Sequence, residues 1–483
     1  MPATLPSDLA RIVQQLRVRF RGWVDEDIAC EEIPDFLAAE ELVMDLVSEA
    51  GLGMLQDYVD MRAEQVLSHR LPCKCGVLKE VNRHPTWPRK TLLGTVDVRD
   101  TYTYCRVCQQ SGKPVQAWIG TDRETWSLPV QEAAVDLATD ESCAKAVAKL
   151  ERHHPGVEMG RTSALRLLHE HGAMARKFID DKLAGARGLT EEPTARQGGQ
   201  AAELEVQYDG GMIPVATLEP IEPDEGKEPE LTPVRGLPKR RKVCRYEEVK
   251  AGLVQKPGEV DRLYTLRPTG GLEETFDDLL GLAVLKGWIE ETEVRGLADG
   301  AIYIRPRLAE TFHASHFRFI LDRPHCKEHL SEAGTAMTPI SGVPADKWAA
   351  QALLKLEAGS SDEVVTELRR AWVASGDDEE SRNDTLRLKA NYFERNGDAV
   401  AYADYRERDW STASSEIESC HGTIVQPRLK IGGAWWRPDS VDDILALRML
   451  KANGWWEDYW TDQRQQWRSR AATFAEARPS LAA

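Results

Sequence analysis

The chain has 483 residues, 29% of them charged and 42% hydrophobic, with a formal net charge of −17. That length supports roughly two to four domains with real cores, and no apolar run approaches the ~20 residues of a membrane span. Nine cysteines in such a chain do not make a disulfide framework, and the acid excess argues against a surface that grips nucleic acid all over, while leaving room for a local basic groove.

The N-terminus, "MPATLPSDLARIVQQLRVRF", lacks the apolar core of a signal peptide, so cytoplasmic residence is expected. Residues 1–70 read as a helical region, with apolar positions three and four apart in "DFLAAEELVMDLVSEA" and "MLQDYVDMRAEQVLSH". Residues 71–125 change character. "LPCKCG" is followed by a strand-like alternation from Val96 to Tyr104 and then by "CRVC". Cys73, Cys75, Cys105 and Cys108 thus form two close pairs, the arrangement by which a zinc ribbon brings four thiolates around one Zn²⁺. The first pair is C-x-C, tighter than the usual C-x-x-C.

Residues 126–190 are helical with tight connections, a spacing compatible with a helix-turn-helix-like DNA-binding region. Its third helix carries Arg161 and Arg166 near its start. Residues 191–202 have linker composition. From 203 the pattern turns to strands. Asp209 is expected to end the first, ahead of Gly210 and Gly211, and residues 219–242 read as a hairpin loop ending in "PKRRK". Two more strands follow, then helix, strand, helix, strand and helix. The fourth strand ends at Asp299 and the fifth at Asp322. Residues 331–410 are polar and helical, and residues 411–483 hold "SSEIESCHGTIVQPRLK" and a Trp-rich end.

One short motif competes for attention. His325, Glu328 and His329 in "FILDRPHCKEHL" spell H-x-x-E-H, an inverted zinc-peptidase pattern whose histidines share a helix face. No distinctive third ligand follows it.

The element order from 203 to 330 is that of a ribonuclease-H-like mixed α/β core, in which acids at strand ends converge on one point of the sheet. Paired carboxylates there suit Mg²⁺ or Mn²⁺, hard ions that also accept phosphate oxygens. "VQYDGGMIPV", "GLADGAIYI", "FILDRPHCKEHL" and "SSEIESCHGTIVQPRLKIGGAWW" together resemble bacterial insertion-sequence DDE transposases, most nearly the ISKra type. The resemblance runs from about residue 71 to about 460. It implies an RNase-H-like core split by a helical insertion, residues 203–330 and 411–483 flanking 331–410. It also implies that Asp209, Asp299 and Glu418 are catalytic, with Asp322 and His325 as an accessory pair and Asp322 as the rival second metal ligand. Arg428, Lys430 and Trp436 would touch DNA. Partners would be double-stranded DNA, both element ends and target, and further copies of the chain in a synaptic complex near the nucleoid. Ala413 and Ser415 stand where the family pattern has glycines, which motivates the alternative of a catalytically weakened, transposase-derived DNA-binding protein.

Overall fold

The structure, a computed structural model, describes residues 36–67, 72–118, 125–189, 199–221, 239–268 and 270–476, with a few positions between 14 and 22. Most of the N-terminal 35 residues, most of the linker, and the hairpin loop from 222 to 238 lie outside the described residues. The chain divides into two compact units, one of Met1–Val130, Glu151–Glu158 and Trp467–Ala483, the other of Gln131–Leu150 and Met159–Gln466.

In the first unit a long helix, α1 (Phe36–Leu67), packs on an antiparallel hairpin, β2 (Thr86–Thr91) with β3 (Gly94–Arg99). Around them lie β1 (Glu80–Arg83), β4 (Tyr102–Tyr104), β5 (Ser111–Gly112) and the short helix α2 (Pro114–Trp118). Along β3 burial alternates, and Val98 joins Val59, Ala63 and Val115 in a small core. The single strand expected from Val96 to Tyr104 is two strands in different sheets. The break falls at Asp100, whose buried carboxylate accepts the N–H groups of Thr101, Val115 and Gln116 and so caps the start of α2.

The second unit is built on a five-stranded mixed sheet. Its strands are β6 (Glu203–Pro220), β7 (Arg240–Gln255), β8 (Arg262–Arg267), β9 (Glu293–Ala298) and β10 (Phe317–Leu321), in the spatial order β10-β9-β6-β7-β8. Pairing is antiparallel between β6, β7 and β8 and parallel between β6, β9 and β10. Helices α3 (Leu128–Asp140), α4 (Cys143–His153) and α5 (Arg161–Gly188) precede the sheet, α6 (Leu272–Leu285) joins β8 to β9, and α7 (Ile304–Thr311) joins β9 to β10. After β10 come α8 (Arg323–Ser341), α9 (Ala345–Glu357), α10 (Ser361–Ala374), α11 (Asp384–Asn396), α12 (Tyr402–Glu407), α13 (Ser415–Cys420), α14 (Gln426–Leu429), α15 (Pro438–Ala452) and α16 (Trp456–Glu476).

One expectation changes. Strand β6 does not end at Asp209, because antiparallel pairing with β7 continues through Gly210 and Gly211 to Pro220. Helix α5 is tied to later parts of the chain. Arg176 on α5 holds Asp442 of α15 with two nitrogens and donates to the Leu266 carbonyl of β8. Buried His171 bonds Tyr459 and Gln131. These contacts seat α5 against the sheet's own helices.

Candidate active site

The three parallel strands bring acids together by register. β6 pairs with β9 as far as Gln207 with Leu297, and β9 pairs with β10 as far as Ala298 with Leu321. Carried forward, the same register aligns Asp209 with Asp299 and Asp299 with Asp322, on neighbouring strands about 4.8 Å apart. The row forms where β9 and β10 end and β6 parts from β9.

Asp209 uses Oδ1 to accept the N–H of Gly210 at 2.8 Å. Burial raises its carboxyl above the ordinary range, the charges of His421 and His325 oppose that, and Asp299 adds to it. Asp299 accepts the Ala301 N–H at 2.9 Å. Gly300 beside it has φ +80°, and a Cβ there would lie 2.5 Å from the Leu321 side chain, so only glycine fits the turn. Tyr392 of α11 donates to the Asp299 carbonyl at 2.6 Å, and Tyr402 of α12 to the Leu321 carbonyl at 3.0 Å. Helices after β10 therefore satisfy the carbonyl ends of the strands that bear the acids.

Asp322 is fully buried and caps α8. Its Oδ2 accepts the His325 N–H at 3.0 Å and His325 Nδ1–H at 2.6 Å, and its Oδ1 accepts Ser414 N–H at 2.6 Å and Ser414 Oγ–H at 2.9 Å. Burial pushes this carboxyl up, but those four bonds outweigh it and hold it below the ordinary value. The bond to Asp322 raises His325 to about 9, against burial and with help from Asp209 and Asp299. His325 is thus an imidazolium at neutral pH. One ligand-type atom each of Asp322, His325 and Glu418 lie within 4.8 Å of one another.

Glu418 is exposed on α13. Buried Gln207 of β6 ties that helix down, accepting the Ile417 N–H at 3.0 Å and donating to Glu416 at 3.1 Å. Burial raises the Glu418 carboxyl, the charges of Asp322, Asp209 and Glu328 raise it further, and His325 opposes them. One turn on, a π-helical turn runs His421–Val425, a distortion that recurs at functional sites. Buried His421 puts Nε2 3.5 Å from Asp209 Oδ2, and neither ring nitrogen has a well-formed hydrogen bond. Burial lowers this histidine and the Asp209 charge opposes it. A Cβ on Gly211 would meet the His421 ring at 2.4 Å, and one on Gly210 would meet the Glu248 carboxylate at 2.3 Å. The two glycines make room for side chains from elsewhere in the fold. Sequence reading missed His421, although Glu418 and His421, three apart, share a helix face.

In the first unit, Cys73, Cys75, Cys105 and Cys108 form one cluster able to bind a metal such as zinc. Sγ–Sγ distances run from 3.0 Å (Cys73–Cys108) to 3.6 Å (Cys75–Cys105), near the edge of about 3.8 Å of a tetrahedron with 2.3 Å Zn–S bonds. Each pair sits on a turn, Cys73 N–H bonding Val77 O with Gly76 at φ +83°, and Cys105 N–H bonding Gln110 O. The Cys108 backbone N–H draws the Cys105 thiol down to about 6, while crowding by Cys73 and the other sulfurs pushes Cys108 up to about 12. Four thiolates repel, and a divalent cation among them relieves that repulsion.

The remaining sequence candidates divide. Arg161, Arg166 and Lys430 are exposed, with Arg166 paired to Glu170 at 3.6 Å. Arg428 is not a surface phosphate contact. It is buried, donates to the Ala138 carbonyl at 3.3 Å and lies 4.6 Å over the Trp436 ring. Trp436 is half-buried. Its Nε1–H bonds Leu429 O, and its backbone bridges to β6 at Val215. The H-x-x-E-H pattern makes no metal pair: His325 turns to Asp322, while His329 bonds Lys389, stacks on Tyr392 and is lowered by burial to about 4. No protein-family model matches the chain, and no curated protein matches it.

Proposed function

We propose that the second unit is an RNase-H-like core and that the chain is a metal-dependent DDE transposase of the ISKra type, acting on double-stranded DNA. The observation that supports this reading is the strand register that carries Asp209 alongside Asp299, with Glu418 near enough to Asp209 for that charge to raise its carboxyl. The three residues come from the first strand, the fourth strand and a later helix of a sheet whose order, third-second-first-fourth-fifth, is the RNase-H order. The carboxyls of Asp209 and Glu418 are raised by burial and, further, by neighbouring acids. A donor set that crowds its own negative charge fits hard divalent cations.

Asp209, Asp299 and Glu418 would hold Mg²⁺ or Mn²⁺. Such ions supply Lewis-acid activation of a water or 3′-hydroxyl and stabilise the leaving oxygen. Asp322 keeps His325 protonated, and that cation faces the acids and offsets their repulsion. Gln207 and Ser414 lock the segment bearing Glu418 against the strands. In the first step water attacks a phosphodiester at the element end, and the 3′-oxygen leaves as a hydroxyl. In the second that hydroxyl attacks a target phosphodiester and releases one target-strand 3′-hydroxyl, with no net change in bond count. Exposed Lys430, Arg161 and Arg166 are the candidate phosphate contacts, and the cysteine cluster, bound to Zn²⁺, would shape an end-recognition module.

The test is nicking of a duplex carrying the element's terminal repeats, in Mg²⁺ and in Mn²⁺. Asp209→Asn, Asp299→Asn and Glu418→Gln are each expected to lower it by about 10³-fold or more. Binding without cleavage by the wild type in either ion would favour the non-catalytic DNA-binding descendant, and neither binding nor cleavage would overturn both.

A further inference from the structure

His421 is a buried polar group to which the three carboxylates assign no task. Another buried histidine of the same unit shows what a purely structural one looks like: His171 bonds Tyr459 through Nδ1 and Gln131 through Nε2. His421 is only 5% exposed, yet neither ring nitrogen has a well-formed hydrogen bond among the described residues. Folded proteins rarely leave such atoms unpaired, and a bound ion is one of the few things that accounts for them. The ring is nonetheless held firmly in place. The helix passes into a π turn at His421, and Gly211 lacks a Cβ where one would lie 2.4 Å from Nδ1.

The position of Nε2 is informative. It stands 3.5 Å from Asp209 Oδ2, beyond the roughly 2.7–3.2 Å of an N–H···O bond. The separation matches two donors on one ion. With bonds of about 2.1 Å, neighbouring ligand atoms lie about 3.0 Å apart at octahedral angles and about 3.4 Å apart at tetrahedral ones. Glu418 precedes His421 by three residues. Glu-x-x-His is the spacing by which a helix presents an oxygen and a nitrogen to one metal in carboxylate-bridged metal sites. His325 is not equivalent, because its Nδ1–H is committed to Asp322.

We propose that His421 is a metal ligand, giving Nε2 to the cation held on Asp209, and that this nitrogen makes the site take Mn²⁺ in preference to Mg²⁺. Mg²⁺ holds to oxygen ligands and water, whereas imidazole suits first-row transition ions. The inference rests on the carboxylate site proposed above, but not on the reaction proposed for it.

Electron spin-echo spectroscopy of the full chain loaded with one equivalent of Mn²⁺ tests it. The wild type is expected to show the ¹⁴N modulation of a directly bound imidazole. His421→Asn is expected to abolish that modulation while the carboxylates still bind Mn²⁺, weakened about 100-fold. His421→Asp, which offers an oxygen instead, is expected to shrink the preference for Mn²⁺ over Mg²⁺ about tenfold in calorimetric titrations. Should His421→Asn fail to fold, wild-type modulation that survives His325→Gln supports the assignment. A wild type that binds Mn²⁺ without ¹⁴N modulation overturns the proposal and leaves the carboxylate site standing. Modulation that persists in His421→Asn and vanishes in His325→Gln gives the nitrogen to His325 and equally overturns it. Equal affinity of the wild type for the two ions overturns the preference, and no Mn²⁺ binding at all overturns the carboxylate site as well. Mn²⁺ bound through His421 without any nicking of DNA supports the inference and counts against the transposase reading alone.

Discussion

His325 is expected to titrate far above an ordinary histidine, and Asp322 is the reason. The half-buried ring donates Nδ1–H to a buried carboxylate at 2.6 Å, and its value rises from 6.5 to about 9. At about 1.4 kcal/mol per pH unit that difference corresponds to ~3 kcal/mol of stability, and solvent at the ring edge trims it toward ~2. The folded value lies above the unfolded one. The contribution is therefore complete below pH 6.5 and is lost as pH rises through about 9. Asp322→Asn removes the charge and turns an amide N–H toward two donors, the His325 N–H and Nδ1–H. Losing two bonds at a buried helix cap costs about 2–4 kcal/mol. His325 should then titrate well below about 9, with burial lowering it and only the charges of Asp209 and Asp299 still raising it, and the alkaline loss of stability should flatten. The assay is imidazole ¹⁵N–¹H NMR across pH 5–10 in buffer free of added Mg²⁺, with His325→Gln identifying the resonance. A wild-type His325 that titrates near 6.5, or one unmoved by Asp322→Asn, would refute the reasoning.

Gly211→Ala drives a methyl to 2.4 Å from the His421 ring. It is expected to cost about 1–3 kcal/mol and to displace His421 from Asp209, visible as a lowered melting temperature and a shifted His421 resonance. Cys105→Ser should remove the bound metal, about one Zn²⁺ per chain by elemental analysis, and expose residues 72–118 to proteolysis while α5 and the sheet stay protected. Arg428→Ala should destabilise by about 2 kcal/mol or more through its buried contacts without changing the salt dependence of DNA binding, whereas Lys430→Ala should lower the salt slope by about one with little loss of stability.

Patterns that depend on local spacing were legible in the sequence. The two cysteine pairs, the strand succession after 203 and the helical stretch after 330 all follow from periodicity and turn residues, and the structure contains each. What depends on a distant partner was not. Asp209-Gly210-Gly211 reads locally as a strand end, yet β7 pairs straight across it, because ladder bonds from a neighbour outweigh the weak strand preference of glycine. The glycines serve the His421 ring and the Glu248 carboxylate, which arrive from 210 and 38 residues away, distances no window can span. The resemblance implied Arg428 as a DNA contact. Its burial follows from stacking on Trp436, a tertiary event that leaves no trace in composition.

The choice between Asp299 and Asp322 as a cation ligand turns on lone pairs. A carboxylate has about four acceptor sites. Asp322 fills four, with His325 N–H, His325 Nδ1–H, Ser414 N–H and Ser414 Oγ–H. A cation bound there would compete with all of them and would face an imidazolium at contact distance. Asp299 gives one oxygen to the Ala301 N–H, and its strand register sets it beside Asp209. Asp299 is therefore the better placed to take a cation, and Asp322 orients His325 and fastens the Glu418 segment at Ser414. The two roles are separable by experiment. Asp299→Asn should abolish Mn²⁺ binding, seen as loss of relaxation enhancement, with the His325 titration still high. Asp322→Asn should lower the His325 value while Mn²⁺ still binds, weakened about tenfold through misplacement of Glu418. The reverse pattern would hand the ligand role to Asp322.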